Sequence, residues 1–360
     1  YKFKLKIIVQ LFFVTIFFST SEAKTISEFN KGSHISNYFA GVLSLNESDY
    51  SESYKYFRKL EGLEEIHLSY SSKYLNSLIN LGKYNEAINY AKKLERKNLD
   101  NFESNLIIGI FYLKNKKYDV AQKYFLKLRK FNSNFVLNNF LTSSLLNWNS
   151  VGKINFKNAE IKLNNTEPKF ENLINIQKAF LNCFYKTNNT EKVFTKLISN
   201  KKTDFSRYNY FYAKYLHSIG KQKEAKKVIK ETLKNNSRNL LINQLNFEME
   251  RKKIQNNFDC QNQSHVIAEI FYLTANALSS QSIYTFSNYY LNLAKYLNQD
   301  FKSYNTLLAE NFYNMGELER SLEIYKTIDQ QGEFFAWHSV KQRTRILIKR
   351  NKKEKALKLL

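Results

Sequence analysis

The sequence predicts an all-α protein built from repeated helical hairpins. Residues 78–95, LINLGKYNEAINYAKKLE, read as two amphipathic helical segments joined by a glycine. The same phrase recurs at a fixed interval along the chain, which indicates a repeat architecture. With 43% hydrophobic and 16% aromatic residues among its 360, the chain can bury a large core and is not disordered.

The first 23 residues have the order of a secretory signal peptide. Three lysines come first, an apolar run follows over residues 7–18, and small residues occupy the two positions, Ser21 and Ala23, that a signal peptidase reads. We therefore expect cleavage after Ala23, a short linker over residues 24–32, and a periplasmic or secreted product. The alternative is an uncleaved membrane anchor, although the run is shorter than the roughly 20 apolar residues that a bilayer span needs.

The repeat interval is 34 residues. Ser53, Ala87 and Ala121 occupy equivalent places in three successive copies. Less regular copies follow around Ala159, Val193, Ala225, Ser287, Ser321 and Ala356. The interval from Ala225 to Ser287 is 62 residues, which leaves room for an extra helix around residues 240–252 and a polar loop after it.

Small and aromatic residues mark where the helices of each copy should pack and turn. The middle of the first helix has Gly41, Gly109, Ala213, Ala275 and Ala309, and the turn has Gly82, Gly220 and Gly316. Phe57, Phe125 and Tyr325 follow in the second helix. A close helix crossing needs a residue without bulk, an aromatic ring fills the adjoining space, and a turn glycine adopts the left-handed conformation.

This pattern resembles the tetratricopeptide repeat (TPR) family. The resemblance implies a right-handed superhelical α-solenoid of stacked helix-turn-helix repeats, because one hairpin cannot bury its own apolar face. It divides the chain into N-terminal repeats over residues 33–146, a degenerate repeat or linker over 147–172, and C-terminal repeats over 173–360. The phrase EFFAWHSVKQRTRILIKR is similar to the closing part of exported alphaproteobacterial TPR proteins.

The sequence contains no motif that predicts catalysis. It has no HExxH, P-loop, GxGxxG or GxSxG, and its five histidines are scattered over different repeats. Cys183 and Cys260 are 77 positions apart and form no CxxC pair. In an oxidising compartment they could pair, but we expect them to be buried or free. We expect no enzyme activity, no cofactor and no bound metal.

The resemblance implies a partner-binding groove lined by the first helix of each repeat. Long amide, aromatic and basic side chains on one concave face can bind an extended peptide and pair with carboxylates. The alternative is that any exposed helix face in so Lys- and Asn-rich a chain has this composition. The expected groove residues are Asn76, Ile79, Asn80, Lys178, Asn182, Tyr185, Tyr210, Lys214, His217, Asn276, Tyr313, Asn314, Lys341 and Arg345, with Arg207 and Lys349 beside them.

The charge balance leaves more than one kind of partner open. The formal net charge is +24, and removal of the signal peptide would leave +22. Only ten residues are Arg, the side chain that phosphate-reading sites favour, so nucleic acid is an unlikely partner. We expect an exported scaffold that binds a peptide or an envelope protein. The alternatives are a cell-envelope protein that binds an acidic polymer, and the regulatory part of a larger protein.

Overall fold

The computed structural model describes residues 32–131, 136–200, 205–301 and 303–360, so the predicted signal peptide and the linker up to residue 31 lie outside the described residues. In these ranges the chain forms nineteen α-helices, a few short 3-10 turns and no β-strand. The helices are α1 (Gly32–Asn46), α2 (Tyr50–Arg58), α3 (Leu68–Asn80), α4 (Tyr84–Arg96), α5 (Phe102–Lys114), α6 (Tyr118–Leu128), α7 (Val136–Ser150), α8 (Phe156–Asn164), α9 (Glu171–Phe184), α10 (Thr190–Ile198), α11 (Ser206–Ser218), α12 (Gln222–Asn235), α13 (Leu240–Glu250), α14 (Gln263–Ser280), α15 (Tyr284–Leu297), α16 (Tyr304–Asn314), α17 (Leu318–Ile328), α18 (Glu333–Lys349) and α19 (Lys353–Leu357).

Tight turns with a left-handed residue end the first helix of each hairpin. The left-handed residues lie 30 to 36 positions apart and are Ser48, Gly82, Lys116, Gly152, Lys186, Gly220, Lys252, Ser282, Gly316 and Asn351. The three predicted turn glycines are among them, with φ between +72° and +85°. A left-handed residue ends a helix by letting the next N–H groups bond back to its last carbonyls. The predicted all-α repeat fold is therefore confirmed.

The small residues in the first helices lie where the helices of a hairpin cross. A Cβ atom added to Gly41 would stand 2.6 Å from the ring of Phe57, and one added to Gly109 would overlap the ring of Phe125. Both rings are fully buried. Ser287 and Ser321 of later hairpins donate their hydroxyls to the carbonyls of Ala275 and Ala309, at 2.7 and 2.8 Å. The same crossing thus recurs along the stack.

The hairpin that begins with α13 has no second helix in the described residues. Helix α13 lies where the sequence predicts an extra helix, and after its turn at Lys252 the chain runs without regular structure until α14 begins at Gln263. Cys260, in this irregular segment, forms a disulfide with Cys183 of α9, with 6.0 Å between their Cα atoms. The expectation that the two cysteines are buried or free is therefore wrong with respect to their pairing. We call residues 251–262 the strap.

After the strap, the C-terminal hairpins pack back against the N-terminal ones. Helix α14 contacts α7, α15 contacts α3, and α18 contacts α13. The Gln263 side chain donates to the Trp148 carbonyl at 2.9 Å, and the Tyr84 hydroxyl donates to the Asn292 carbonyl at 2.9 Å. Arg320 of α17 forms an ion pair with Asp49, the residue before α2. The stack is therefore folded over on itself.

Candidate functional site

The N-terminal members of the predicted groove are covered by α15. Asn76, Ile79 and Asn80 lie on α3, and Ile79 is only 1% exposed. The Asn80 amide donates to the Asn76 side chain at 2.7 Å, and its oxygen accepts from the Asn292 amide of α15 at 3.0 Å. Side chains expected to meet a partner thus contact the chain's own C-terminal half.

A buried polar network continues from this contact through the C-terminal hairpins. The Asn288 amide donates to the Tyr50 hydroxyl at 3.2 Å, and the Asn311 amide donates to the Asn288 oxygen at 2.8 Å. The Asn311 oxygen accepts from the Ser279 hydroxyl at 2.6 Å. Since buried amides are stable only when their hydrogen bonds are satisfied, this network favours one arrangement of the two halves.

Two predicted groove residues at the end of α9, Asn182 and the following Tyr185, also contact their own chain. Asn182 is buried, and its amide donates to the Lys178 carbonyl one turn earlier at 2.9 Å. The Tyr185 hydroxyl donates to the Ile154 carbonyl at 2.5 Å and accepts from the Gly152 amide at 3.1 Å. Tyr185 therefore holds the turn between α7 and α8. The Asn182 oxygen accepts from the Thr187 hydroxyl and so holds the turn after α9.

The strap occupies the inner surface of α11. The Tyr210 hydroxyl donates to the Asn257 side chain at 2.7 Å. The Lys214 ammonium donates to the same oxygen and to the Gln255 carbonyl, both at 2.8 Å. Burial lowers the pKa of Lys214 to about 8, because nearby Glu248 and Asp259 only partly offset the loss of water. His217 lies one turn further along α11 and is half-buried.

A buried ion pair joins α11 to α14 beside the strap. The Arg207 guanidinium forms two hydrogen bonds with the Glu269 carboxylate, at 2.6 and 2.9 Å, and its Cζ atom lies 3.7 Å from the centre of the Tyr272 ring. Burial raises the pKa of the Glu269 carboxyl, and the charge of Arg207 opposes that rise. Removing either partner would leave a buried charge unpaired, so the pair holds α11 and α14 together.

The remaining groove residues stay open to solvent on the C-terminal hairpins. Asn276 lies on α14, Tyr313 and Asn314 on α16, and Lys341 and Arg345 on α18. All are exposed except Tyr313, which is half-buried. Asn276 and Arg345 each stand six residues before a left-handed turn residue, which places them at one position of the repeat. We call this group, together with Lys349, the open surface.

The open surface is cationic and its charges are unpaired. The Arg345 Cζ atom lies 4.4 Å and the Lys349 Nζ atom 4.7 Å from the centre of the Tyr313 ring. By contrast, Arg343 of the same helix forms an ion pair with Asp329, and Arg350, directly after the helix, forms one with Glu319. No ion pair between described residues includes Lys341, Arg345 or Lys349. Cations held over an aromatic ring and free of carboxylates can bind acidic groups of a partner.

The sequence shows the repeat positions of these residues but not which of them are covered. The strap carries no helical pattern and therefore gives no sign that it lies on α11. Within the described ranges, no group of three or more His, Cys, Asp or Glu side chains could hold a metal ion. None of the helices described is long and apolar enough to cross a membrane.

No known protein family matches the sequence, and no curated protein is similar to it at a significant level. Solved structures that match this chain include Naa15/Naa10 bound to HypK-THB (14% identity, TM-score 0.25, covering 90% of this chain and 67% of that chain). Others are the APC/C hetero-tetramer Cut9-Hcn1 (10%, 0.30, 92% and 81%) and yeast Tom70 (15%, 0.27, 92% and 75%). At these identities and TM-scores they imply nothing about what this chain binds, and the repeat architecture rests on its own turns and contacts.

Proposed function

We propose that this chain is a protein-binding scaffold without chemistry of its own, and that its open surface holds an acidic peptide segment of a partner. One observation carries the proposal. Of the predicted groove residues, those of the open surface remain exposed together, and their cations have no carboxylate partner among the described residues. Among the N-terminal and central members, Asn80 contacts α15, Tyr210 and Lys214 contact the strap, and Asn182 bonds within its own helix. Lys178 and His217 are half-buried.

The chemistry of the open surface favours a carboxylate-rich segment. Arg345 offers a planar set of N–H donors that matches a carboxylate, and Lys349 adds a second positive charge near the same Tyr313 ring. Asn276 and Asn314, both exposed, supply amide groups that can bond to the backbone of an extended peptide. Rim charges of this kind act on association rate and specificity, so binding should be moderate and reversible.

Peptide selection tests this proposal without knowledge of the natural partner. A peptide-display library is selected on the wild-type protein, and the affinities of the selected peptides are measured by fluorescence anisotropy. We expect selected peptides rich in Asp and Glu, and binding about tenfold or more weaker to Arg345→Ala/Lys349→Ala, since each charge-assisted hydrogen bond contributes about 1.5–3 kcal/mol. The matched control, Lys123→Ala/Lys226→Ala, removes the same charge from exposed lysines elsewhere.

Two results would contradict the proposal. One is a selection that yields no binding peptide, and the other is a set of peptides that bind both double variants equally. A second function, binding of an acidic envelope polymer, is supported by the net charge of +24. It predicts an affinity for a sulfated polysaccharide that falls steeply between low and moderate salt, whereas a peptide held by a few contacts should respond weakly.

Export is part of the same proposal. It is supported by the signal-like order of residues 1–23 and is compatible with the disulfide between Cys183 and Cys260, which persists in oxidising compartments. Expression in a bacterium with the N-terminal segment intact should yield a periplasmic product whose first residue is Lys24. Recovery of an uncleaved protein from the cytoplasm would contradict the export claim and leave the peptide-binding claim untouched.

A further inference from the structure

A polar cleft of about 300 Å³ lies where α15 packs against the second hairpin. Gly82 and Tyr84, at the turn between α3 and α4, form one wall. Asn292, Lys295, Asn298 and Gln299, from α15 and the residues after it, form the other. The cleft therefore belongs to the contact between the N-terminal and C-terminal halves and is separate from the open surface.

Lys295 brings a positive charge into this cleft without any counter-charge. Its side chain is half-buried and forms no ion pair or hydrogen bond with another described residue. Burial lowers the pKa of Lys295, and no acidic side chain offsets this effect. By contrast, Lys93 and Lys97 at another contact between helices share the buried Glu64 carboxylate. Because the Lys295 ammonium lines the cleft and no carboxylate holds it, it is free to pair with an anion that enters the cleft.

The neighbouring groups add a second cation, Lys114, and one exposed carboxylate, that of Asp300, which follows Gln299 in the chain. Lys114 of α5 donates to the Tyr296 carbonyl at 2.5 Å, and its Nζ atom lies 4.0 Å from the centre of the Tyr296 ring. Burial lowers the pKa of Lys114 as well, again without an acidic neighbour. The rings of Tyr84 and Tyr296, 4.7 Å apart, complete the contact between α15 and the second hairpin. The region is therefore positive on balance.

The hydrogen bonds already made by the amide groups of the cleft indicate which ligand groups could bind there. The Asn292 amide is already bonded to Asn80 and to the Asn288 carbonyl, and the Asn298 amide donates to the Asn257 carbonyl. The Lys295 ammonium, the exposed Gln299 amide and one N–H group each of Asn298 and Asn305 remain available as donors, and the buried Asn305 oxygen is an acceptor without a partner among the described residues. A ligand should therefore be a hydrogen-bond acceptor with negative charge.

We propose that this cleft binds a small oxyanion, a phosphate or carboxylate group, with Lys295 supplying the charge and Gln299 an additional hydrogen bond. The volume corresponds to about ten water molecules, which suits a phosphate or a short dicarboxylate and excludes a folded domain. Lysine acts as a point charge and so accepts either group. Because the walls come from both halves of the chain, the bound anion stabilises their contact.

Thermal unfolding and isothermal titration calorimetry test the site, with inorganic phosphate and succinate as probes and sodium chloride at equal ionic strength as reference. One probe should raise the unfolding temperature above the chloride reference and bind with a stoichiometry near one, as mass action requires for a ligand of the folded state. Stronger binding of phosphate assigns a phosphate-bearing ligand, and stronger binding of succinate assigns a carboxylate. The absence of both effects with both probes would overturn the proposal.

Variants identify the residue responsible. Lys295→Met should weaken binding about tenfold or more, because it removes a charge-assisted contact, whereas Lys295→Arg should retain most of it. Lys123→Met, which removes an exposed charge elsewhere, should leave binding unchanged. If circular dichroism shows that the Lys295→Met variant has lost helix, the Lys295→Gln variant is used in its place. Equal binding by wild type and either neutral variant would refute the assignment and would not affect the peptide proposal for the open surface.

Discussion

Replacement of Gly109 by valine tests the packing that defines the repeat. Gly109 lies in the middle of α5, where α5 crosses α6, and a Cβ atom at this position would stand 2.7 Å from Cδ1 and 3.2 Å from Cζ of Phe125. Carbon atoms in contact prefer about 3.5–4.0 Å. Phe125 is fully buried, so its ring is enclosed by other groups of the core. The two helices must therefore separate or the ring must leave its rotamer.

The expected loss is about 3 kcal/mol of unfolding free energy, at the upper end of what overpacked cores show. Valine is a better helix former than glycine by only a few tenths of a kcal/mol, which is too little to compensate. If the ring causes the loss, a smaller partner should relieve it. Gly109→Val/Phe125→Leu should then be less destabilised than the sum of the single variants, by about 1 kcal/mol.

Urea unfolding, followed by far-UV circular dichroism and by fluorescence, measures these differences. Two probes are needed because repeat proteins can unfold in stages. Gly32→Val is the matched control, since no atom lies within 4 Å of a Cβ atom added at Gly32, and it should change stability by less than about 0.5 kcal/mol. Wild-type stability in Gly109→Val, or strict additivity in the double variant, would refute the packing argument.

Two further predictions concern the strap. Cys183→Ser/Cys260→Ser should lower the unfolding free energy by about 4 kcal/mol, as expected for opening a loop of 77 residues. Adding a reductant to the wild-type protein should reproduce this loss. Unchanged stability in both experiments would show that the disulfide is not formed. For Lys214, the pKa is about 8 when folded and 10.5 when unfolded, so the unfolded state binds more protons between these values and this residue makes stability rise with pH across that interval. Chemical denaturation at several pH values should show this contribution in the wild type and not in Lys214→Met; identical pH profiles would contradict it.

Most of the local architecture follows from residues close together in the sequence. The glycines at positions 82, 220 and 316 predict left-handed turns, and the pairs Gly41 with Phe57 and Gly109 with Phe125 predict the crossing inside a hairpin. These contacts join residues about half a repeat apart, so their cause is visible in one copy and is repeated in the next. Non-glycine turns such as Lys116 and Lys186 follow from the same register rather than from their residue type.

The candidate sites depend on contacts that no local pattern encodes. Asn80 and Arg345 are both polar residues on first helices, yet Asn80 is bonded to Asn292 and Arg345 is open to solvent. The difference arises because the later hairpins pack against the earlier ones, so that α15 covers α3, while Arg345 on α18 stays exposed. The sequence by itself therefore determined the repeat and the charge. Only the tertiary structure decided which surface stays open, which cysteines pair, and where Lys295 is left without a counter-charge, since these depend on contacts between residues 77 to 271 positions apart.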